Sequence, residues 1–309
     1  TIDKMNIKEE ILKLKEKKNA VILAHYYTTS DVQSIADCLG DSLALAHYAQ
    51  RTSADTIIFA GVYFMAETAK ILNPEKHVFI PDIHSFCSLA DSCPIDKFLQ
   101  FKSLYPDYKV ITYINCSAAM KTISDIVCTS SNAVKVVESF PKEQKLIFAP
   151  DKNLGNYINN LTGRNMLLWD GACHVHNALK AENIITLKAK YPSAKLIAHP
   201  ECQQIVLQFA DFIGSTTQLL DYTQKSDNKT FIVATETGIL HKMQTLSPDK
   251  EFIIASATEF CNCNDCEYMK LNSLEKIYNC LKNGNNEVFL DENTIEKAKI
   301  PILRMLEIS

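Results

Sequence analysis

One pattern is repeated three times along the chain of 309 residues. Each repeat is roughly 86 to 90 residues long and opens with a short apolar run. These opening runs are VILAHYY (21–27), VITYINC (110–116) and LIAHPEC (196–202). Similarity at a regular spacing indicates structural units that share one fold, so the sequence predicts three similar domains.

Each repeat contains four short apolar runs that alternate with helical patterns. The second runs are SIADCLGDSLALA, TISDIVCTSSNAV and QFADFIGSTTQLL, and the third begin with TIIFA, KLIFA and TFIVA. The fourth runs are HVFIPDIHSFCSLAD, NMLLWDGACHVHN and EFIIASATEFCNCNDC. Such runs, separated by helices, are typical of βαβ units around a parallel sheet covered on both faces. We therefore predict the α/β class, with three α/β/α, Rossmann-like parallel-sheet domains in a pseudo-threefold arrangement.

The repeats set the expected domain boundaries. The first domain is predicted at 1–104, the second at 105–190 and the third at 191–287. The C-terminal tail, 288–309, is expected to pack back on the first domain. Its sequence NTIEKAKIPILRMLEIS predicts a helix that Pro301 must kink or break.

Composition and charge exclude several classes of function. The net charge is -4 and no block of lysine and arginine is present, so the chain has no electrostatic footprint for nucleic acid. No apolar run is long enough to cross a bilayer, and the charged N-terminal stretch is typical of a surface helix, not of a signal peptide. We expect a cytoplasmic protein with small-molecule partners and neither nucleic acid nor membrane.

The cysteines indicate a metal site. Eleven cysteines are present, and an odd number disfavours a pure disulfide framework. The fourth run of each repeat ends in a cysteine, namely Cys87, Cys173 and one of Cys261, Cys263 or Cys266. Three equivalent thiols that point at one axis form a three-cysteine site.

Two kinds of metal fit three thiols. A 4Fe-4S cluster held by three cysteines leaves one iron with an exchangeable position, which can act as a Lewis acid. A structural zinc ion would need a fourth ligand, which His174, His176 or another cysteine of CNCNDC could supply. The residues alone leave both possibilities open.

The segments between second strand and helix are candidate anion sites. Small hydroxyl residues recur in the equivalent segments 40–42, 128–130 and 214–216. They are good N-caps, and a helix start also attracts carboxylate or phosphate through its free amides. The eight glycines form neither GxGxxG nor GxxxxGK(S/T), so a dinucleotide fingerprint and a P-loop are both missing. We expect a small oxygen-rich acid or phosphate as substrate.

Polar residues follow the opening strand of each repeat. Ligands of open parallel sheets bind outside the carboxyl ends of the strands. His199, Glu201 and their counterparts in the other repeats are therefore expected to face a shared centre.

The motifs together resemble the quinolinate synthase family over nearly the whole chain. The matching segments are AHYY, IADCLGDSLALA, FMAETAKILNPEK, CSLADS, SDIVCTSSNAVKVV, PDKNLG, AHPEC, DFIGSTTQ, ATETGILHKM and CxxMKLNSLEK. The resemblance implies three α/β domains around a central 4Fe-4S cluster. It also implies condensation of iminoaspartate with dihydroxyacetone phosphate to quinolinate, with loss of phosphate and water, in NAD biosynthesis. An iminoaspartate-producing enzyme is a possible partner.

The resemblance also implies roles for individual residues. The family's third ligand precedes xxMK, which selects Cys266 beside Cys87 and Cys173. The cavity would be lined by His25, Tyr27, Tyr113, Asn115, His199 and Glu201, and carboxylates or phosphate would be held by Ser42, Ser130, Ser215 and Thr216. Enolisation, imine formation and dehydration are proton transfers. Glu201 is thus predicted as general base, Tyr27 and Tyr113 as proton donors or relays, and His199 as a further catalytic residue.

Two alternative functions remain at this stage. One is a different 4Fe-4S hydro-lyase that acts on a small hydroxy acid. The other is a non-catalytic, metal-stapled anion-binding protein with a closed zinc site. The extra cysteines, Cys261 and Cys263, raise the separate hypothesis of an oxidised, inactive form.

Overall fold

Three four-stranded parallel sheets, each flanked by helices, form the described part of the protein. The structure is a computed structural model and describes residues 4–256 and 264–309. The strand order is the same in all three sheets: the second strand of the unit lies at one edge, followed by the first, the third and the fourth. The predicted α/β class with three similar units is confirmed.

The first unit has an extra N-terminal helix. Its elements are α1 (Lys4–Lys17), β1 (Ala20–His25), α2 (Ser30–Gln33), β2 (Cys38–Gly40), α3 (Ser42–Arg51), β3 (Thr56–Ala60), α4 (Tyr63–Leu72), β4 (His77–Phe79), α5 (Ser88–Asp91) and α6 (Ile95–Ser103). Every residue of β3 is buried, as expected for an inner strand covered by helices on both faces.

The second and third units repeat this order. The second has β5 (Lys109–Tyr113), α7 (Ala118–Thr122), β6 (Ile126–Cys128), α8 (Ala133–Glu138), β7 (Leu146–Ala149), α9 (Lys152–Thr162), β8 (Leu167–Leu168), α10 (His174–Asn177) and α11 (Ala181–Lys190). The third has β9 (Lys195–Ala198), α12 (Gln204–Leu207), β10 (Phe212–Ile213), α13 (Thr216–Lys225), β11 (Thr230–Ala234), α14 (Ile239–Leu246), β12 (Glu251–Ile254) and α15 (Glu267–Lys270). Two helices follow, α16 (Leu274–Asn283) and α17 (Glu292–Ile308).

A repeated aspartate ties the first two strands of each unit together. It lies just before the second strand, and its carboxylate accepts a hydrogen bond from a backbone N–H of the first strand. The pairs are Asp37 with Ile22, Asp125 with Val110 and Asp211 with Leu196, each at 2.8 Å. The units therefore share a polar anchor as well as an apolar pattern.

The last two helices connect the units. Helix α16 packs against α1 and β3 of the first unit, although its residues lie within the predicted third domain. Helix α17 packs chiefly on α7 and β6 of the second unit and also on α4 of the first. The tail was expected on the first domain, and only part of it, including Val288 beside Val78, lies there. We propose that the domain boundaries given above hold for the three sheets, with α16 counted with the first unit.

Two terminal helices differ in detail from expectation. Helix α17 continues through Pro301, which is buried, so the proline does not break it. In α1, Ile7 and Ile11 are buried while Leu12 is exposed, so only a narrow apolar side of this surface helix packs on the protein. Among the described residues, no helix is both long and apolar enough to cross a membrane.

Candidate active site

A cavity lies at the carboxyl ends of the three sheets and is lined by all three units. Its lining combines apolar side chains with a few convergent polar groups, which suits a small-molecule site. The site residues expected from the sequence that line it are His25, Tyr27, Ser42, Cys87, Tyr113, Asn115, Ser130, Cys173, His199, Glu201, Thr216 and Cys266. Ser215 is not among the lining residues.

Each unit contributes one cysteine to the cavity. Cys87, Cys173 and Cys266 each come directly before a short helix, α5, α10 and α15 respectively. The fourth strand of every unit leads into this segment, so the repeated topology brings the three thiols to one centre. Cys261 and Cys263, the other two candidates in CNCNDC, lie outside the described residues.

The environment of the thiols fits a metal centre. Burial raises the pKa of Cys87 to about 12 and that of Cys266 to about 11, and raises the pKa of Cys173 well above its usual value. Cys266 raises the pKa of Cys87 further, and Cys87 does the same to Cys173, so the three sulfur atoms interact. Thiolates in such a place require a bound cation, and a group bonded through three sulfurs would provide it.

Both histidines considered as fourth zinc ligands have other partners. His176 Nδ1 lies 2.8 Å from Glu201 Oε2, and His176 Nε2 lies 2.9 Å from Thr235 Oγ1. His174 is exposed and its Nδ1 lies 2.6 Å from Ser88 Oγ. Cys173, His176 and Glu201 nevertheless offer ligand atoms within 4.8 Å of one another. The described residues therefore contain a candidate metal site centred on cysteine.

A hydrogen-bonded network crosses the cavity from the first unit to the second. The Tyr27 hydroxyl lies 2.8 Å from Thr235 Oγ1 and 3.1 Å from Thr216 Oγ1. Thr235 contacts His176, which contacts Glu201. Glu201 Oε2 lies 3.3 Å from His199 Nδ1, and His199 Nε2 lies 3.2 Å from Ser130 Oγ. Tyr27 and Ser130 are therefore joined by one continuous series of hydrogen-bonding side chains.

Glu201 is the charged centre of this network. Burial would raise the pKa of its carboxyl group, but His176 and His199 together hold the pKa below its usual range. Its Oε1 atom is buried and has no hydrogen-bond partner among the described residues. A buried carboxylate oxygen without a partner is costly, so this atom is positioned to accept a proton or a hydrogen bond from a bound molecule.

Two tyrosines and two histidines of the cavity are held neutral by burial. Burial raises the pKa of Tyr27 and of Tyr113 well above the usual value for tyrosine. Burial also lowers the pKa of His25 to about 4 and lowers that of His199. The tyrosines therefore keep their protons near neutral pH and can donate them.

The hydroxyl residues divide into two groups. Ser42, Ser130 and Thr216 line the cavity. Ser215 is fully buried, caps α13 through Gln218 and lies 2.8 Å from the Ser131 hydroxyl. The Ser215 side chain makes its hydrogen bonds within the protein, because it is the N-cap of α13. Its neighbour Thr216 lines the cavity instead.

The sequence patterns did not single out four further buried residues of the site. They are Asp151, His176 as a partner of Glu201, Thr235 and Glu236. Asp151 and Glu236 occupy equivalent positions, two residues after β7 and β11, so aligning the repeats at the third strand would have revealed them. His176 and Thr235 gain their partners only from the packing of the units.

Fold and site together define an enzyme of three repeated α/β units that carries a buried network of hydrogen-bonded polar side chains beside a candidate three-cysteine metal site. A family model described as quinolinate synthetase A protein matches residues 9–307. A quinolinate synthase of Chloroherpeton thalassium is 56% identical over 309 residues, covering 100% of this chain and 96% of the relative. Those of Microcystis aeruginosa and Synechocystis sp. are 58% and 55% identical over 299 residues, covering 97% of this chain and 94% of each relative. The chain belongs to the quinolinate synthase family of enzymes.

Proposed function

We propose that this enzyme condenses iminoaspartate with dihydroxyacetone phosphate to give quinolinate, phosphate and water. The observation that carries the proposal is the meeting of three repeat-equivalent cysteines with a buried carboxylate in one small cavity. The name shared by the relatives supports the choice of reaction.

The three cysteines would hold the cofactor. Cys87, Cys173 and Cys266 would bind a 4Fe-4S cluster through their thiolates. When bound, the cluster would supply an open iron that polarises a substrate oxygen as a Lewis acid. Iron-sulfur thiolates require a reducing compartment, so we also propose that the protein acts in the cytoplasm.

Glu201 is proposed as the general base. Its charge is stabilised by His176 and His199, and its Oε1 atom has no partner among the described residues. The carboxylate would remove a proton from a substrate carbon during enolisation and ring closure. His199, with Ser130 on its other nitrogen, would keep the carboxylate in place and share the proton.

Tyr27 and Tyr113 are proposed as proton donors. Their raised pKa keeps both hydroxyls protonated at neutral pH. Tyr27 can be reprotonated through Thr235 and His176, which connect it to Glu201. A donor and a base linked in this way suit a reaction that both removes and adds protons.

Neutral polar groups would orient the acidic substrates. Ser42, Ser130 and Thr216 face the cavity, and Asn115 Oδ1 is buried without a partner among the residues that the structure describes. His25 lies beside Tyr27, with the ring centroids 4.5 Å apart. We propose that these groups bind the carboxylates and phosphate, and that Ser215 acts only indirectly, by fixing Thr216. Iminoaspartate would come from an enzyme that oxidises or dehydrogenates an amino acid.

Metal analysis together with a product assay tests the proposal. Protein purified without oxygen is analysed for iron, sulfide and zinc, and is assayed with dihydroxyacetone phosphate and freshly generated iminoaspartate. About four irons and four sulfides per chain with quinolinate formation are expected. One zinc and no turnover would instead support the metal-stapled anion-binding protein. An iron-sulfur protein that dehydrates a hydroxy acid without releasing phosphate would support the other hydro-lyase.

A further inference from the structure

We propose that Asp151 and Glu236 are positioning residues that hold the ligand cysteines of their own units through backbone hydrogen bonds. The inference deepens the proposed function and rests on it for the identity of the bound group. Neither residue follows from the family roles given above, and both carboxylates are buried.

Asp151 connects the third strand of the second unit to Cys173. It is the N-cap of α9, and its Oδ1 accepts a hydrogen bond from the Leu154 N–H at 2.8 Å. Its Oδ2 accepts the Cys173 N–H at 3.1 Å. Both oxygens are engaged, and the side chain is 0% exposed. The carboxylate therefore joins the start of α9 to the residue that caps α10.

Glu236 makes the equivalent connection in the third unit. Its Oε1 accepts the Cys266 N–H at 3.0 Å, and its Oε2 accepts the Gly238 N–H at 2.6 Å. The Lys270 ammonium lies 2.8 Å from Oε1 and donates to the Tyr27 carbonyl at 2.7 Å. Glu236 thus links the cysteine segment both to the start of α14 and, through Lys270, to the backbone of Tyr27 in the first unit.

Position within the repeat separates this pair from ordinary buried carboxylates. Asp151 and Glu236 each lie two residues after the third strand of the unit, and each contacts the backbone of that unit's cysteine. The first unit has Val62 at the same position, and the Val62 side chain has no group that could accept a hydrogen bond from Cys87. Two of the three cysteine segments are therefore anchored by a carboxylate, whereas that of the first unit is held by a backbone hydrogen bond from the Tyr63 N–H to the Ser85 carbonyl at 2.7 Å.

Amide variants remove one acceptor while keeping the shape of the side chain. In Asp151→Asn and Glu236→Gln, one oxygen remains for two N–H donors, and the new NH₂ group faces a donor. Glu67→Gln is the matched control, because Glu67 is buried and accepts the Ala118 N–H at 2.9 Å but lines neither the cavity nor a cysteine segment.

Hydrogen exchange of the full-length protein, followed by peptide mass spectrometry, reads the anchors directly. We expect Asp151→Asn to speed exchange on the order of tenfold in the peptide containing Cys173, and Glu236→Gln to do so in the peptide containing Cys266. The peptide containing Cys87 should stay at the wild-type rate in both variants. Glu67→Gln should affect only the peptide containing Ala118.

Iron release from the anaerobic holoenzyme to a chelator tests the consequence for the metal site. Both variants should release iron several-fold faster than wild type and Glu67→Gln, because loosened ligands dissociate sooner. Unchanged exchange at the cysteine peptides, or a uniform rise in every peptide, would overturn the proposal. Raised exchange with wild-type iron release would also overturn it.

The two proposals can fail separately. If wild-type protein binds no iron, the proposed function fails, and hydrogen exchange still decides whether the carboxylates anchor the cysteines. If one variant does not fold, the other decides by itself, since each anchor acts on a different unit.

Discussion

His176 Nδ1 lies 2.8 Å from Glu201 Oε2, and this buried contact joins a side chain of the second unit to one of the third. The carboxylate owes its lowered pKa to that histidine and to His199. The charge of the proposed base therefore depends on how the units pack.

Glu201→Gln should abolish most of the catalytic rate. The amide keeps the shape but cannot take a proton, and general base catalysis contributes about 10² to 10⁴ in rate. We expect kcat to fall by that factor with a smaller change in KM, measured as quinolinate formed. Glu67→Gln, which removes a buried carboxylate outside the cavity, is the control. A kcat near wild type in Glu201→Gln would rule out the role as base.

Tyr27→Phe should separate a proton donor from a packing residue. The variant loses the hydroxyl that contacts Thr216 and Thr235, and kcat should fall on the order of 10²-fold. Tyr26→Phe is the matched control, since Tyr26 is equally buried but does not line the cavity. Equal kcat values for the two variants would show that the Tyr27 hydroxyl is not needed.

Substituting any of the three proposed ligand cysteines should remove the metal. Cys87→Ser, Cys173→Ser and Cys266→Ser should each retain little iron after anaerobic purification, because two thiolates do not hold a cluster. Cys280→Ala should keep the wild-type iron content, because Cys280 is buried in the core beside α1. Full iron content in any of the three serine variants would remove that cysteine from the ligand set.

Asp211→Asn should lower stability in a pH-dependent way. Burial would raise the pKa of this carboxyl group, but the Leu196 N–H and two lysines hold it below the usual value. In the unfolded protein the pKa of an aspartate is about 3.9, and above that pH the lowered pKa of Asp211 stabilises the folded state. This stabilisation is lost as the pH falls through the pKa of the folded protein. Urea unfolding should show a loss of about 1 to 2 kcal/mol at pH 7 that shrinks below about pH 4.

Asp170→Asn is the control for that experiment. Its ion pair with Lys152 is exposed, and such pairs contribute little to stability. A pH-independent loss in Asp211→Asn would mean that packing, not charge, causes the effect.

Ile302→Ala should destabilise the protein through α17. Ile302 is 0% exposed in the main core cluster, and a buried Ile→Ala change costs about 2 to 5 kcal/mol. Ile300→Ala lies in the same helix but is 53% exposed, and should cost less than about 0.5 kcal/mol. Similar unfolding midpoints for the two variants would contradict the observed packing of α17.

The sequence predicted the features that the three units share. The apolar runs determine four parallel strands, and the position of Cys87 and Cys173 after the fourth run follows from the same pattern. It did not predict contacts between units. His176 meets Glu201, and α16 meets α1, only because of how three similar bodies pack, and no local periodicity records that packing.

Side-chain direction at a turn was also beyond the sequence. Ser215 and Thr216 are neighbours with similar chemistry, yet only Thr216 faces the cavity. The choice follows from which residue becomes the N-cap of α13. The effect of Pro301 was also beyond the sequence. Proline lacks a backbone donor, but α17 is buried against two units and continues through it.

Val62 is one of the residues that make the cavity wall differ between the three units. Val62, Phe64 and Met65 add apolar side chains to the wall of the first unit, whereas the third unit places the carboxylates of Glu201 and Glu236 on its wall. A cavity with exact threefold symmetry would present the same groups to a bound molecule in three equivalent orientations. The three walls of this cavity differ, so a bound molecule meets different groups on each side.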